Sequence, residues 1–211
     1  SVDEGATVGP GVPTIWLGIA EHCRATGAKL GRLNRIVCGG AAPPLALMRS
    51  YWREFGVRTV QAWGMTETTH AATIQWTGQD VLDGAVEPAA PQGKPVFGTT
   101  IRIVDDEGKP VAKDGNAVGH LRVKGNWCAS GYLKRGDVSV LDHEGWLQTG
   151  DLAAITTDNA LRIADRAKDV IKSGGEWISS IDLENAAISH PAVIEAAVIG
   201  VPHPRWQERP V

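Results

Sequence analysis

Several kinds of protein are set aside by what this chain has little of. Its 3 cysteines, Cys23, Cys38 and Cys128, are scattered and lack CxxC spacing. That excludes a disulfide scaffold and a zinc ribbon, and it fits reduced thiols in a cytoplasmic protein. Positive charge is not in excess: 21 basic side chains face 24 acidic ones, a net charge of −3. With no basic stripe, nucleic acid is not an expected partner. The 6 histidines are dispersed, without HxxxH or HExxH spacing, so no histidine metal site is expected. No apolar run is long enough to span a bilayer and no signal peptide opens the sequence. A soluble protein can still draw an apolar substrate from a membrane surface, so peripheral contact stays open. Internal repeats and low-complexity segments are absent.

What remains is ordinary globular composition, 43% hydrophobic and 21% charged. The 211 residues suffice for one large domain, or for one plus part of another. Tryptophan is abundant, with 8 copies. Core and interdomain packing accounts for most of them, and Trp16, Trp63 and Trp177 lie inside motifs. The chain opens on Ser1 in a stretch with no obvious first element. It stops at Val211 just after a strand-like run and a turn, and the expected reading is an internal fragment.

Three patterns follow one another. Residues 33–38 read as a buried strand that ends in Gly39-Gly40-Ala41-Ala42-Pro43-Pro44, where proline opens a helix. Leu45, Met48, Trp52 and Phe55 fall at helical spacing, Gly56 stops the helix, and residues 57–63 form the next strand. Strand-helix-strand order predicts a parallel α/β unit. After Gly93, residues 100–104 and 120–123 alternate, separated by Asp/Gly/Asn turns at 105–108, 113–116, 142–145 and 157–159. This predicts an antiparallel sheet or small barrel. From Arg166 the pattern changes again. Ser179 caps an expected helix carrying Leu183, Ala187 and Ile188, which His190-Pro191 ends, and residues 193–201 read as a strand.

The chemistry concentrates in Gln61-Ala62-Trp63-Gly64-Met65-Thr66-Glu67-Thr68-Thr69-His70. A strand ends in an aromatic ring, a glycine turn and hydroxyls around one carboxylate. A ring can stack on a base, a glycine lets backbone approach, threonine can bond phosphate, and glutamate can hold a hard cation such as Mg²⁺. Two later blocks accompany it. One is Gln148-Thr149-Gly150-Asp151, whose carboxylate can accept from both hydroxyls of a ribose. The other is Asp165-Arg166-Ala167-Lys168-Asp169-Val170-Ile171-Lys172-Ser173-Gly174-Gly175-Glu176-Trp177.

In this order the blocks resemble the adenylate-forming, or AMP-binding, superfamily of acyl-CoA synthetases, luciferases and carrier-protein adenylation domains. Gly11-Val12-Pro13-Thr14-Ile15-Trp16-Leu17 and Lys172-Ser173-Gly174-Gly175-Glu176-Trp177-Ile178-Ser179-Ser180 are most similar to the medium- and long-chain fatty acyl-CoA ligases. The resemblance runs from about Gly11 to the last residue. It implies an α/β fold: a parallel α/β unit, a small antiparallel β-barrel or sheet, and the start of a small α+β C-terminal domain. Residues 1–165 would be the later part of a large AMP-binding domain (α/β to about 93, barrel about 94–165). Residues 166–211 would begin a mobile C-terminal domain.

The resemblance also implies a reaction and its ligands. A carboxylic acid, a fatty acid in this branch, reacts with ATP and Mg²⁺ to give acyl-adenylate and pyrophosphate. Coenzyme A then takes the acyl group and AMP leaves. By the same resemblance Thr66 contacts phosphate, Glu67 holds Mg²⁺, and Trp63 stacks on adenine beside Gly64 and Met65. Gly39, Gly40, Ala41 and Ala42 form the opposite wall, Asp151 and Arg166 hold the ribose, and Lys168 is the hinge. Lys172 serves the thioester step, and Trp16 and His70 border the acyl tunnel. His70 departs from the family's commoner small residue or proline, which puts chain length in doubt. The family's phosphate loop is expected upstream and its adenylation lysine downstream, so this polypeptide alone is expected to be inactive as a ligase. A homodimer stays open. So do two rival readings: a module loading a carrier protein, and a non-catalytic nucleotide-binding or interaction descendant.

Overall fold

The computed structural model describes residues 4–76, 92–134, 139–188, 190, 192–193 and 196–211. Regular structure starts earlier than the sequence reading expected. Strand β1 (Val8–Gly11) leads directly into helix α1 (Pro13–Thr26), with Pro13 in the first turn, where its missing N–H is not needed. The strand is hidden in the sequence because Gly9, Pro10 and Gly11 are poor strand formers. They are tolerated here because β1 is an edge strand.

The expected α/β unit is present. Strand β2 (Arg35–Cys38), helix α2 (Leu45–Phe55) and strand β3 (Arg58–Trp63) follow one another, and β1, β2 and β3 pair in parallel. The buried face of α2 is only partly the expected one: Met48 is buried and Phe55 packs against the core, as expected. Leu47, Met48 and Tyr51 turn inward, whereas Leu45 and Trp52 are only half-buried. Trp52 instead lies under the Arg58 guanidinium, 5.3 Å from its ring centre. Tyr51 crosses the core to meet Trp16 edge-on, with ring centres 6.0 Å apart, and its hydroxyl donates to the Trp16 carbonyl at 2.6 Å. Burial pushes the Tyr51 phenol up to about 12.

Strands β4 (Thr73–Trp76) and β5 (Lys94–Pro95) complete this first sheet in antiparallel fashion, in the order β1-β2-β3-β4-β5. The switch to antiparallel pairing thus begins before residue 93, inside the first sheet. The second sheet holds β6 (Thr99–Val104), β7 (Gly119–Gly125), β8 (Leu147–Ile155) and β9 (Leu161–Arg166), each antiparallel to the next. Among the described residues it is an open four-stranded sheet, not a closed barrel. Its core is Ile101, Ile103, Leu121, Val123, Ala153, Ile155 and Leu161, and Trp63 of β3 packs against it.

The two sheets meet at one seam. Leu161 of β9 bridges to Gly93: its N–H donates to the Gly93 carbonyl at 2.7 Å, while Gln92 N–H donates to the Leu161 carbonyl at 3.2 Å. Only glycine fits at 93. Its φ is 73°, and a Cβ there would lie 2.1 Å from the Ile74 carbonyl oxygen.

Beyond β9 a third sheet pairs β10 (Ile171–Ser173), β11 (Glu176–Ile178), β12 (Gly200–His203) and β13 (Gln207–Pro210) in the order β11-β10-β13-β12. Helix α3 (Ser180–Ile188) is capped as expected: the Ser179 hydroxyl accepts from Asp182 N–H at 3.1 Å. Pro191, expected to end this helix, lies outside the described residues. Strand structure near 193–201 begins only at Gly200; the apolar run at 196–199 is irregular.

Candidate functional site

A cleft opens at the seam, built by six separate stretches. The turn after β2 contributes Gly40, Ala41 and Ala42, and the end of β3 contributes Gln61, Ala62, Trp63 and Gly64. Gln92 comes from the seam itself, Asp151, Ile163 and Arg166 from β8 and β9, and Ile181 from α3. Gly39 does not line the cleft; a Cβ added there would lie 3.4 Å from the Ala62 carbonyl oxygen. Small side chains on one wall and the Trp63 indole on the other leave a slot suited to a flat ring.

Asp151 is the charged group of the cleft. It is 3% exposed, and its Oδ1 lies 2.9 Å from Arg166 Nε, while the arginine side chain is half-exposed. Burial raises the Asp151 carboxyl above its ordinary value, opposed by the Arg166 charge and by hydrogen bonding from Trp63 and Thr149. A carboxylate has about four acceptor sites on its two oxygens, so Asp151, which lines the cleft, is of the chemical type that accepts from a diol.

The motif after Trp63 is a closed loop. Residues Thr66–Thr68 form one 3₁₀ turn, and Thr69 and His70 take left-handed backbone at φ 50° and 68°. The chain returns so closely that a Cβ on Gly64 would sit 1.8 Å from the His70 carbonyl oxygen. The three hydroxyls divide their work. That of Thr68 is buried, accepts from Met65 N–H and donates to the Met65 carbonyl, each at 3.0 Å. That of Thr69 donates to the Trp127 carbonyl at 2.8 Å. Among the described residues the exposed Thr66 hydroxyl has no such partner.

Glu67 belongs to this loop and does not line the cleft with Trp63 and Asp151. Its carboxylate accepts from the Tyr132 hydroxyl, and its carbonyl accepts from Ala129 N–H at 2.7 Å. Among the described residues no three His, Cys, Asp or Glu side chains cluster into a metal cage. One carboxylate beside a free hydroxyl is nevertheless a donor set that suits Mg²⁺, which takes most of its ligands from water and phosphate.

Other expected site residues lie apart. Trp16 is 5% exposed inside the first core, with Gly9 and Gly11 packed on its ring, and among the described residues its buried indole N–H has no partner. His70 is exposed on the loop and Met65 half-exposed, and neither lines the cleft. Lys168 sits in the exposed turn after β9. Lys172 is exposed on β10, its Nζ 5.6 Å over the Trp177 ring. Gln61, Gln92, Ile163, Ile181 and Tyr132 join the site without an expected role. Gln61 stood inside the motif and was legible; the others carry no local signal.

Residues 2–133 match the family model described as AMP-binding enzyme. The chain belongs to the AMP-binding enzyme family. Residues 182–211 match the model of the AMP-binding enzyme C-terminal domain. The chain is 44% identical over 211 residues to a 3-methylmercaptopropionyl-CoA ligase of Ruegeria lacuscaerulensis, covering 98% of this chain. It is 42% identical over 214 residues to a long-chain-fatty-acid–CoA ligase of Thermus thermophilus, covering 99%. The chain spans 39% of the length of each of these two relatives. An o-succinylbenzoate coenzyme A synthetase from Bacillus subtilis, solved with ATP and magnesium ion, matches with a TM-score of 0.80 and 30% identity. It covers 99% of this chain and 41% of that one. The fold is thus that of AMP-binding enzymes, with a parallel α/β unit followed by antiparallel sheets.

Proposed function

We propose that the cleft at the seam is an adenosine-nucleotide site and that the chain is part of an ATP-dependent acid–thiol ligase. The observation that carries this is the meeting of Trp63, the Gly40–Ala42 wall and the buried Asp151–Arg166 pair in one cleft. The base stacks on Trp63, and the ribose hydroxyls donate to Asp151, with Arg166 holding that carboxylate in place. Thr66 donates to phosphate, and Glu67, released from Tyr132, takes part of the coordination of Mg²⁺, which would neutralise charge between two anions. Carboxylic acid, ATP and coenzyme A are the substrates, and a fatty acid is the preferred acid, as the kinship with a long-chain-fatty-acid–CoA ligase supports.

In this reading residues 1–165 and 166–211 are parts of two domains, with Lys168 in the hinge turn. Lys172 and Trp177 lie on the mobile part and serve the coenzyme A half-reaction. His70 bears on the acyl side, whereas Trp16 packs in the first core. Titration calorimetry of the 211-residue chain with AMP tests the site, and release of AMP during acyl-CoA formation tests the chemistry. AMP binding with only background ligase turnover is expected. Absence of AMP binding would overturn the nucleotide site, and robust turnover would overturn the inactivity of this chain alone.

A further inference from the structure

Strand β9 is bulged beside the cleft. Its pairing with β8 steps from Leu152↔Asp165 to Ala153↔Ile163, so Ala164 is an extra residue in the ladder. Side chains take the backbone groups at this step. Gln92 Oε1 accepts from Ile163 N–H at 2.9 Å, and the Ser179 hydroxyl donates to the Ala164 carbonyl at 2.7 Å. The bulge separates two cleft residues, Ile163 and Arg166, and so sets how each meets a ligand.

Gln92 is itself held firmly. It is 4% exposed, its carbonyl accepts from the buried Thr73 hydroxyl at 2.6 Å, and its N–H donates to Leu161. The orientation of its carboxamide is decided by chemistry. A backbone N–H can only donate, so the amide atom facing Ile163 is the oxygen, and the NH₂ group is the other arm. Gln92 lines the cleft, and among the described residues its Nε2 has no hydrogen-bond partner. A nine-tenths-buried amide with an unused donor at a cleft wall is a group waiting for an acceptor.

We propose that Gln92 has two roles, positioning the Ala164 bulge through Ile163 and donating from Nε2 to a ring nitrogen of the bound base. This rests on the nucleotide reading of the cleft. Because the free arm is a pure donor, it meets an acceptor such as N1, N3 or N7 of a purine and opposes an exocyclic amino group. Gln61 of β3, which also lines the cleft, is left to meet that amino group.

The test uses the wild-type chain and Gln92→Met, titrated calorimetrically with AMP and with 1-deaza-, 3-deaza- and 7-deaza-AMP. One analogue is expected to bind wild type about fivefold to tenfold more weakly than AMP, the range of one neutral hydrogen bond. Gln92→Met is expected to bind that analogue and AMP alike. If all three analogues bind wild type as AMP does, or the discrimination survives in Gln92→Met, the donor role is overturned while the nucleotide site stands. If AMP itself fails to bind wild type, the site and this assignment fall together. Hydrogen exchange reads the positioning role without any ligand. The Ile163 amide is expected to exchange faster in Gln92→Met while the Leu161 amide, bonded to Gly93, does not; equal protection of Ile163 in both proteins overturns it.

Discussion

Asp151 and Arg166 face one another across β8 and β9, one register position, with Nε 2.9 Å from Oδ1. The aspartate is buried and the arginine half-exposed, so the pair does not cancel the cost of dehydrating the carboxylate. The Asp151 carboxyl is accordingly raised above its ordinary 3.8 by burial. A carboxyl whose folded value is raised favours folding in its protonated form. That contribution is full below the unfolded value and is lost as pH rises through the folded one. At neutral pH ionised Asp151 is therefore a cost to the fold. Asp151→Asn is expected to melt at or above the wild-type temperature at pH 7. The advantage should shrink as pH falls toward the ordinary carboxyl value of 3.8. A clear loss of melting temperature at pH 7 would contradict this.

Gly64 has no room for a side chain, since the His70 carbonyl oxygen would be 1.8 Å from a Cβ. Gly64→Ala must therefore push apart a loop closed by Ala72 N–H donating to Trp63 at 2.9 Å and His70 N–H donating to Met65 at 3.2 Å. The expected loss is roughly 3 kcal/mol or more in urea unfolding. A loss below about 1 kcal/mol would mean the loop yields at little cost.

Thr66 and Thr68 are two residues apart and are expected to respond oppositely. Thr68→Val removes two hydrogen bonds to Met65 from a buried site, and about 1–3 kcal/mol of stability should go with them. Thr66→Val should leave stability within about 0.5 kcal/mol while weakening ATP binding. Paired unfolding and ATP-binding measurements check both. An equal loss of stability in the two variants would contradict the division of labour.

The Tyr132 hydroxyl occupies the Glu67 carboxylate that the proposed Mg²⁺ needs. Glu67→Gln should keep AMP affinity but lose the strengthening of ATP binding by magnesium. Tyr132→Phe should lower the magnesium concentration required, because no phenol has to be displaced. Titrations with ATP across magnesium concentrations separate these outcomes, and unchanged magnesium dependence in both variants would count against Glu67 as a ligand.

How much of this is legible in the sequence depends on how local each signal is. The β2-α2-β3 unit is readable because a buried strand, a proline and a helical period succeed one another within about thirty residues. The buried face of α2 is not, because a helix with Leu45, Leu47, Met48, Tyr51, Trp52 and Phe55 offers apolar side chains nearly all round. Only the position of the sheet selects Leu47 and Tyr51. The Trp63 motif and Asp151 are readable as blocks, and the cleft brings the Gln61–Gly64 part of that motif to Asp151 but not Glu67. Gln92 is silent in the sequence: it stands between Pro91 and Gly93, and its partner Ile163 is 71 residues away. The same holds for Tyr132, 65 residues from Glu67. Trp16 reads equally as tunnel wall or core, and its contacts with Gly9, Gly11 and Tyr51 are those of a core residue.

The central claim is that one cleft holds an adenosine nucleotide with its sugar on Asp151, and the most direct measurement compares AMP with 2′,3′-dideoxy-AMP by calorimetry. AMP should bind the wild-type chain roughly 100-fold more tightly than the dideoxy compound, about 3 kcal/mol for two hydrogen bonds to a carboxylate. Asp151→Asn should bring the two ligands close together. Equal affinity of wild type for both ligands, or an undiminished preference in Asp151→Asn, would contradict it.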